Sequence, residues 1–371
     1  MRNRRFLSSS RRMFIVVAVF TALGGGLLVS ASGCSVGYVL TQGYYQGKLL
    51  AGREPIDEVI RRDTLDSRVR ARLELILRIK AFGEERLGLK PTQNYSTVNL
   101  KWKNKIWNLS ACRELKFEPY TWWFPIVGTV PYKGFFRRKD AERESDGLRT
   151  KGYDVMIREV AGYSTLGWFK DPVLPSMLQY DEGQLADLVL HELAHATLFI
   201  PGQVAFNESF ASFVGTKASL AFLRDTYGGD SPELKRRLDQ LADARLYETF
   251  MHDLYQRLDE VYRSGAGPTE KRARKEALLR KAQERFGALP FRNPKWRGRS
   301  LNSLNNARLM QFKQYNSSEE RFQALYDGLD GDMKRFLERV AELATQGTDP
   351  FEALEAAVGP LDDGHQDQET P

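Results

Sequence analysis

The chain has 371 residues, 42% hydrophobic and 28% charged, which is enough to bury a sizeable core in one large domain or two modest ones. Its formal net charge is +7, but Arg2, Arg4, Arg5, Arg11 and Arg12 all lie in the first 33 residues, which contain no acid. Removing those five charges leaves +2, which excludes a strong electrostatic case for nucleic acid as a partner.

The N-terminus has the layout of an export signal. A basic stretch, RNRRFLSSSRR, precedes the apolar run MFIVVAVFTALGGGLLV, and small residues lead to Cys34 through Ala31-Ser32-Gly33. This is similar to a bacterial lipoprotein signal, so residues 1–33 are expected to be removed and Cys34 to carry lipid. An uncleaved anchor helix is the alternative, since the apolar stretch through Val29 could just cross a bilayer. Ser10-Arg11-Arg12-Met13-Phe14-Ile15 also resembles a twin-arginine export motif, although an ordinary basic segment accounts for it as well. Ser35 after the cysteine is compatible with outer-membrane sorting on the periplasmic side. Cys112 is the one other cysteine, so a lipidated Cys34 leaves no internal disulfide, and Cys112 reads as a small core residue.

Beyond Cys34, residues 34–360 read as a single domain in three parts, followed by a disordered acidic tail at 361–371. Residues 36–90 are helical, with Val69, Leu73, Ile76, Leu77 and Ile79 on one apolar face and Gly88 and Pro91 as stop signals. Residues 92–175 are β-rich: NYSTVNLKWKNKIWNLSAC and FEPYTWWFPIVGTVPYKGFF combine β-branched and aromatic residues with Pro and Gly. A polar helix, RRKDAERESDGLRTKG, leads into a further strand, YDVMIREV. From 176 to 360 the pattern is helical, with helices expected at 182–200, 205–227, 231–264, 269–287, 303–325 and 329–346. Strands first and helices later give an α+β architecture. Lys271 to Arg299 carries eleven basic residues and two glutamates, a basic stretch that could meet an anionic membrane surface or form a solvated helix face.

The chemistry concentrates in LVLHELAHATLFIPGQVAFNESFA, residues 188–211. It has good helix formers and no breaker before Pro201-Gly202, so His191 and His195 stand one turn apart on one face and can reach a common metal. Glu192 is turned about 100° from His191, too far to be a ligand but able to reach a water on the metal. This HExxH arrangement lets zinc lower the pKa of its water to about 7 while the glutamate takes the proton. A catalytic zinc needs a third protein ligand. Leu198-Phe199-Ile200-Pro201 stands where the extended HExxHxxGxxH form would place its Gly and third His, which leaves a carboxylate. Glu208, in the first turn of the next helix, is the best placed, with Asp225 as a weaker rival. Asp187, one turn before His191, could hold a ligand ring. His252, in a helical stretch, reads as a satisfied histidine.

Asn207-Glu208-Ser209-Phe210-Ala211 is similar to the NExFA segment of glutamate-zincin aminopeptidases, in which that glutamate is the third zinc ligand. More closely, the chain resembles a bacterial family of predicted aminopeptidases with a lipoprotein signal, through SGCSVGYVLTQGYYQGKLL, FPIVGTVPYKGFF, AGYSTLGWFKDP, LVLHELAHATLF, NESFASFVG and LNNARLMQFKQY. The resemblance implies a zincin-like fold with a small β-sheet and a mostly helical C-terminal half, one Zn2+ per chain and a peptide substrate. It also implies that Tyr163-Ser164-Thr165-Leu166-Gly167 pairs as an edge strand with the substrate backbone. An oxyanion donor is needed as well. Tyr315 is the first choice, with Tyr227 and Tyr132 as alternatives and Asn305 and Asn306 shaping the pocket. Lys133 could meet a substrate carboxylate. No acid in YSTLG anchors a free amine, so amino- and endopeptidase activity both stay open. A non-enzymatic envelope lipoprotein with a structural zinc is the reading from a different class.

Overall fold

The computed structural model describes residues 36–124, 128–160, 170–294, 296, 301, 304–316, 319–347 and 349–359. The chain divides after Lys48 into two compact units. The described part of the first is the beginning of helix α1 (Val36–Ala51). No described helix is long and apolar enough to cross a membrane. The second unit starts at Leu49 and holds the other described elements.

The architecture is α+β, with small antiparallel sheets. The strands are β1 (Glu54–Pro55), β2 (Thr97–Val98), β3 (Ile106–Arg113), β4 (Trp122–Phe124), β5 (Gly128–Val130), β6 (Tyr132–Phe135) and β7 (Tyr153–Val160). The pairs β1–β2 and β4–β5 stand apart from a three-stranded sheet of order β6–β3–β7. Residues 99–105, expected as strand, form none. Along β3 the side chains alternate. Leu109 and Ala111, with Val155 and Phe135, are buried on the face that helix α4 (Arg138–Arg149) covers through Ala141, Ser145 and Leu148. Asn108, Ser110 and Cys112 point to the other face.

Two short helical pieces precede the sheet: α2 (Ile56–Val59) and α3 (Ser67–Ala81). Asp66 caps α3 by accepting from Val69 N at 3.0 Å, and Leu73, Leu75, Ile76 and Ile79 are buried. The helix runs on into a π-turn, Phe82–Arg86, in which Gly83 lets the later helix Glu182–Thr197 approach: a Cβ there would lie 2.6 Å from Leu190 Cδ2. Eight helices follow the sheet: α5 (Glu182–Thr197), α6 (Val204–Tyr227), α7 (Pro232–Arg263), α8 (Pro268–Phe286), α9 (Asn306–Asn316), α10 (Glu319–Asp327), α11 (Met333–Ala344) and α12 (Pro350–Val358). The helix expected over 303–325 is described as α9 and α10, on either side of residues 317–318, which lie outside the described residues. Helix α12 was not anticipated; Asp349 caps it at Phe351 N, 2.9 Å, with Pro350 in its first turn.

Phe206, Phe210 and Phe213 of α6 meet Phe322 and Phe336 with ring centroids 5.2 to 6.4 Å apart, which seats α10 and α11 on α6. A separate cluster around Tyr247, Phe250, Phe286 and Phe291 joins α7 and α8 and includes Cys112. Several charges of the basic stretch from Lys271 are paired among the described residues. Arg272 pairs with Glu114, Lys275 with Asp154, Arg285 with Asp253 and Arg292 with Asp239. Buried Lys275 also donates to Glu114 O at 2.9 Å, so this end of the sheet is clasped to α8 by charge.

Candidate metal centre

Helix α5 begins with a capping box: Gln184 N donates to Asp181 Oδ1 at 2.9 Å and Asp181 N to Gln184 Oε1 at 3.4 Å. Leu185, Ala186, Val189, Leu190, Leu193 and Ala194 are buried, which fixes the rotation of the helix and leaves the His191/Glu192/His195 face to the site. Helix α6 crosses close beside it at Gly215. A Cβ at that position would lie 3.0 Å from Asp187 O, 3.0 Å from His191 Cβ and 3.3 Å from His191 Cα. The absence of a side chain there is what brings Glu208 within reach of the histidines.

The turn between the helices is pinned by one side chain. Asn207, 2% exposed, accepts from Ile200 N at 2.9 Å and donates to Ile200 O at 2.8 Å. Gly202 takes the left-handed conformation the turn requires, φ +80°. Glu208 follows directly. Its Oε2 lies 3.7 Å from His191 Nε2 and its Oε1 lies 3.7 Å from His195 Nε2. The two Nε2 atoms are 3.1 Å apart, and the three donor atoms all lie within 4.8 Å of one another.

The electrostatics suit a cation. Burial, reinforced by His195, holds the His191 imidazole down at about 4, so its lone pair is free at neutral pH. Burial pulls His195 the same way, but the Glu208 carboxylate outweighs it and raises that pKa. Burial pushes Glu208 up, yet His195, His191 and Arg158 together hold its carboxyl below the ordinary value. Two imidazoles and a carboxylate are a donor set that fits zinc and leaves a fourth position open. The group could hold a metal ion.

Other sequence candidates fall elsewhere. Asp187 pairs with Arg237 at 2.6 Å, so it braces α5 against α7 and makes no bond to His191. Asp225 and Tyr227 sit at the far end of α6, roughly 25 Å or more from Glu208 at the helical rise of 1.5 Å per residue. Asp225 meets Arg86 at 3.6 Å there, so neither residue can serve the site. Asn305 and Asn306 clasp the sheet rather than line a pocket. Asn305 Nδ2 donates to Val155 O and Asn306 Nδ2 to the carbonyls of Arg113 and Glu114, each at 2.9 Å. Lys133 is buried and paired with Glu144 at 2.7 Å, on the sheet face that α4 covers, so it cannot greet a substrate carboxylate. His252 is partly buried and stacks on Tyr255. Cys112 is fully buried, and burial pushes its thiol up to about 12. Tyr315 belongs to α9, but its side chain lies outside the described atoms, as do residues 163–167 and Cys34.

Three groups that sequence reasoning missed lie around the site. Tyr95, fully buried at φ +57°, donates its N–H to Asp171 O at 2.8 Å. Burial, then the Glu192 and Asp171 carboxylates, hold its phenol well above the ordinary value. Asp171 N in turn donates to buried Asn94 at 3.1 Å. The third is Arg158 on β7, whose charge reaches Glu208.

No curated protein and no solved structure matches the chain. A family model described as "Putative aminopeptidase" matches residues 37–352, most of the chain and all of the site, so the chain belongs to that family.

Proposed function

We propose that the protein is a zinc-dependent metallopeptidase, an aminopeptidase by its family, anchored to the bacterial envelope by lipid on Cys34 and facing the periplasm. The observation that carries the reading is the convergence of His191, His195 and Glu208 within 4.8 Å, with Glu192 beside the first histidine on the same helix. When bound there, zinc would supply Lewis acidity to a water and to the scissile carbonyl. The chain's own residues supply the rest. Glu192 takes a proton from the attacking water and passes it to the leaving amine. Buried Tyr95 and Asn94 are tied to Asp171 by hydrogen bonds, which holds the Tyr95 phenol in place. Tyr315 is the proposed oxyanion donor, and Tyr163, Ser164, Thr165, Leu166 and Gly167 the proposed strand that pairs with the substrate backbone. A structural zinc would have no use for a general base next to its first ligand.

The test is metal content together with turnover in the purified full chain. One zinc per chain, lost in His191→Ala and in Glu208→Ala, with peptide cleavage that needs it, is expected. Zinc retained at full stoichiometry in His191→Ala would refute the assignment.

A further inference from the structure

One end of the sheet face opposite α4 has the makings of a binding site. Asn108 lies between Gly134 of β6 and Arg158 of β7, and Ser110 lies between Tyr132 and Met156. Directly opposed residues share a face, so Asn108, Ser110 and Arg158 all project away from α4. Helix α9 covers this face at its other end, where Asn306 N donates to Asp154 Oδ2 at 2.9 Å. The same helix packs on α6, which carries Glu208, so α9 links this face to the helix of the metal centre.

Four features mark the row as built for a ligand. Above Gly134 there is open space: nothing lies within 4 Å of where a Cβ would stand. Asn108 Oδ1 and Ser110 Oγ are shielded from solvent and have no hydrogen-bond partner, a cost that a bound polar group would remove. The exposed Arg158 guanidinium makes no ion pair or side-chain hydrogen bond among the described residues, whereas most basic side chains of α8 are paired. Its charge is nonetheless felt at Glu208.

We propose that Arg158, Ser110 and Asn108 form a substrate subsite that takes a carboxylate. The guanidinium fork matches a carboxylate in two parallel hydrogen bonds, the Ser110 hydroxyl can donate a third, and Asn108 Oδ1 can accept from the adjacent peptide N–H. The carboxylate is either the C-terminus of a short peptide or an acidic side chain near the scissile bond. The subsite makes the enzyme selective for acidic or short peptides. It rests on the peptidase reading of the metal centre.

The experiment separates the two claims by reading binding and cleavage independently. Four versions of one tetrapeptide are used: C-terminal acid or amide, each with Glu or Gln in one inner position. Binding is measured by calorimetry on the zinc-loaded full chain carrying Glu192→Gln, and cleavage on the wild type. The expected result is about tenfold tighter binding of one carboxylate-bearing member over its neutral partner, equal to about 1.4 kcal/mol. The pair that shows it, acid against amide or Glu against Gln, identifies the source. Adding Arg158→Gln should bring that ratio to near one, and Arg158→Glu should turn the preference toward a Lys-bearing peptide, while zinc content stays at the parental level. Equal binding of all four peptides, or a preference that survives Arg158→Gln, would overturn the subsite. A preference without cleavage would leave the subsite standing and sink the peptidase reading.

Discussion

Replacing Asn207 by Ala should weaken both the fold and the metal centre. The amide makes two hydrogen bonds to the backbone of Ile200, at 2.9 and 2.8 Å, and is 2% exposed. Each bond is worth about 1 kcal/mol net, and the Ile200 N–H and C=O left behind are only part-buried, so water can rescue them in part. The expected loss is about 2 kcal/mol, with about 3 as the ceiling. The bonds hold the turn that delivers Glu208, so ligand positioning should suffer as well, by about tenfold in zinc affinity, in the range typical of groups that orient ligands. Urea unfolding of the metal-free chain measures the first quantity and competition with a chelator measures the second. A stability loss below about 0.5 kcal/mol, or a zinc affinity equal to wild type, would refute the assignment of this side chain as the clip between α5 and α6.

Gly215→Ala sets a helix-propensity gain of about 1 kcal/mol against overpacking of about 1–3 kcal/mol, because two of the three contacts are backbone atoms of α5. Net destabilisation with reduced zinc binding is expected; a more stable protein with intact zinc affinity would contradict the close approach. Lys275→Met leaves the Asp154 carboxylate without its buried cation and should cost about 3–5 kcal/mol in chemical unfolding. Burial and the facing Glu319 carboxylate raise the Glu248 carboxyl to about 7, with Arg245 opposing. The folded state therefore binds more protons than the unfolded state between the ordinary carboxylate pKa and about 7, and stability falls as pH rises through that window. Glu248→Gln should accordingly stabilise the protein by about 1–3 kcal/mol at pH 8 and do little at pH 4. Thermal melts at the two pH values would check it. Cys34→Ser should release the protein from the membrane fraction of cells; unchanged membrane retention would point to the uncleaved anchor.

The helical half was legible because its signals are local. The spacing of His191 and His195, the caps at Asp181 and Ser231 and the glycine after Tyr227 are each read within a few residues. What sequence reasoning could not see was decided by contacts between distant segments. Asp187 looked like a ring holder until α7 brought Arg237 to it. Lys133 looked able to meet a substrate carboxylate, yet the β6 register turned it inward onto Glu144. The basic run after Lys271 read as a membrane-facing or solvated surface, but several of its described charges meet acids, up to 158 positions away. Tyr95 and Asp171 are 76 positions apart and meet through backbone bonds that no periodicity announces. Arg158 and Asn108 share a row only because β3 and β7 pair in one register.

The central claim is that Glu192 activates water at a metal held by His191, His195 and Glu208. The most direct test follows cleavage of one peptide, free and N-acetylated, by the zinc-loaded full chain and by its Glu192→Gln variant, with zinc content measured in both. The account predicts cleavage of the free peptide that falls by at least about 10²-fold in the variant while zinc is retained. Equal cleavage of both forms would make the enzyme an endopeptidase. Equal rates for wild type and Glu192→Gln would contradict the account.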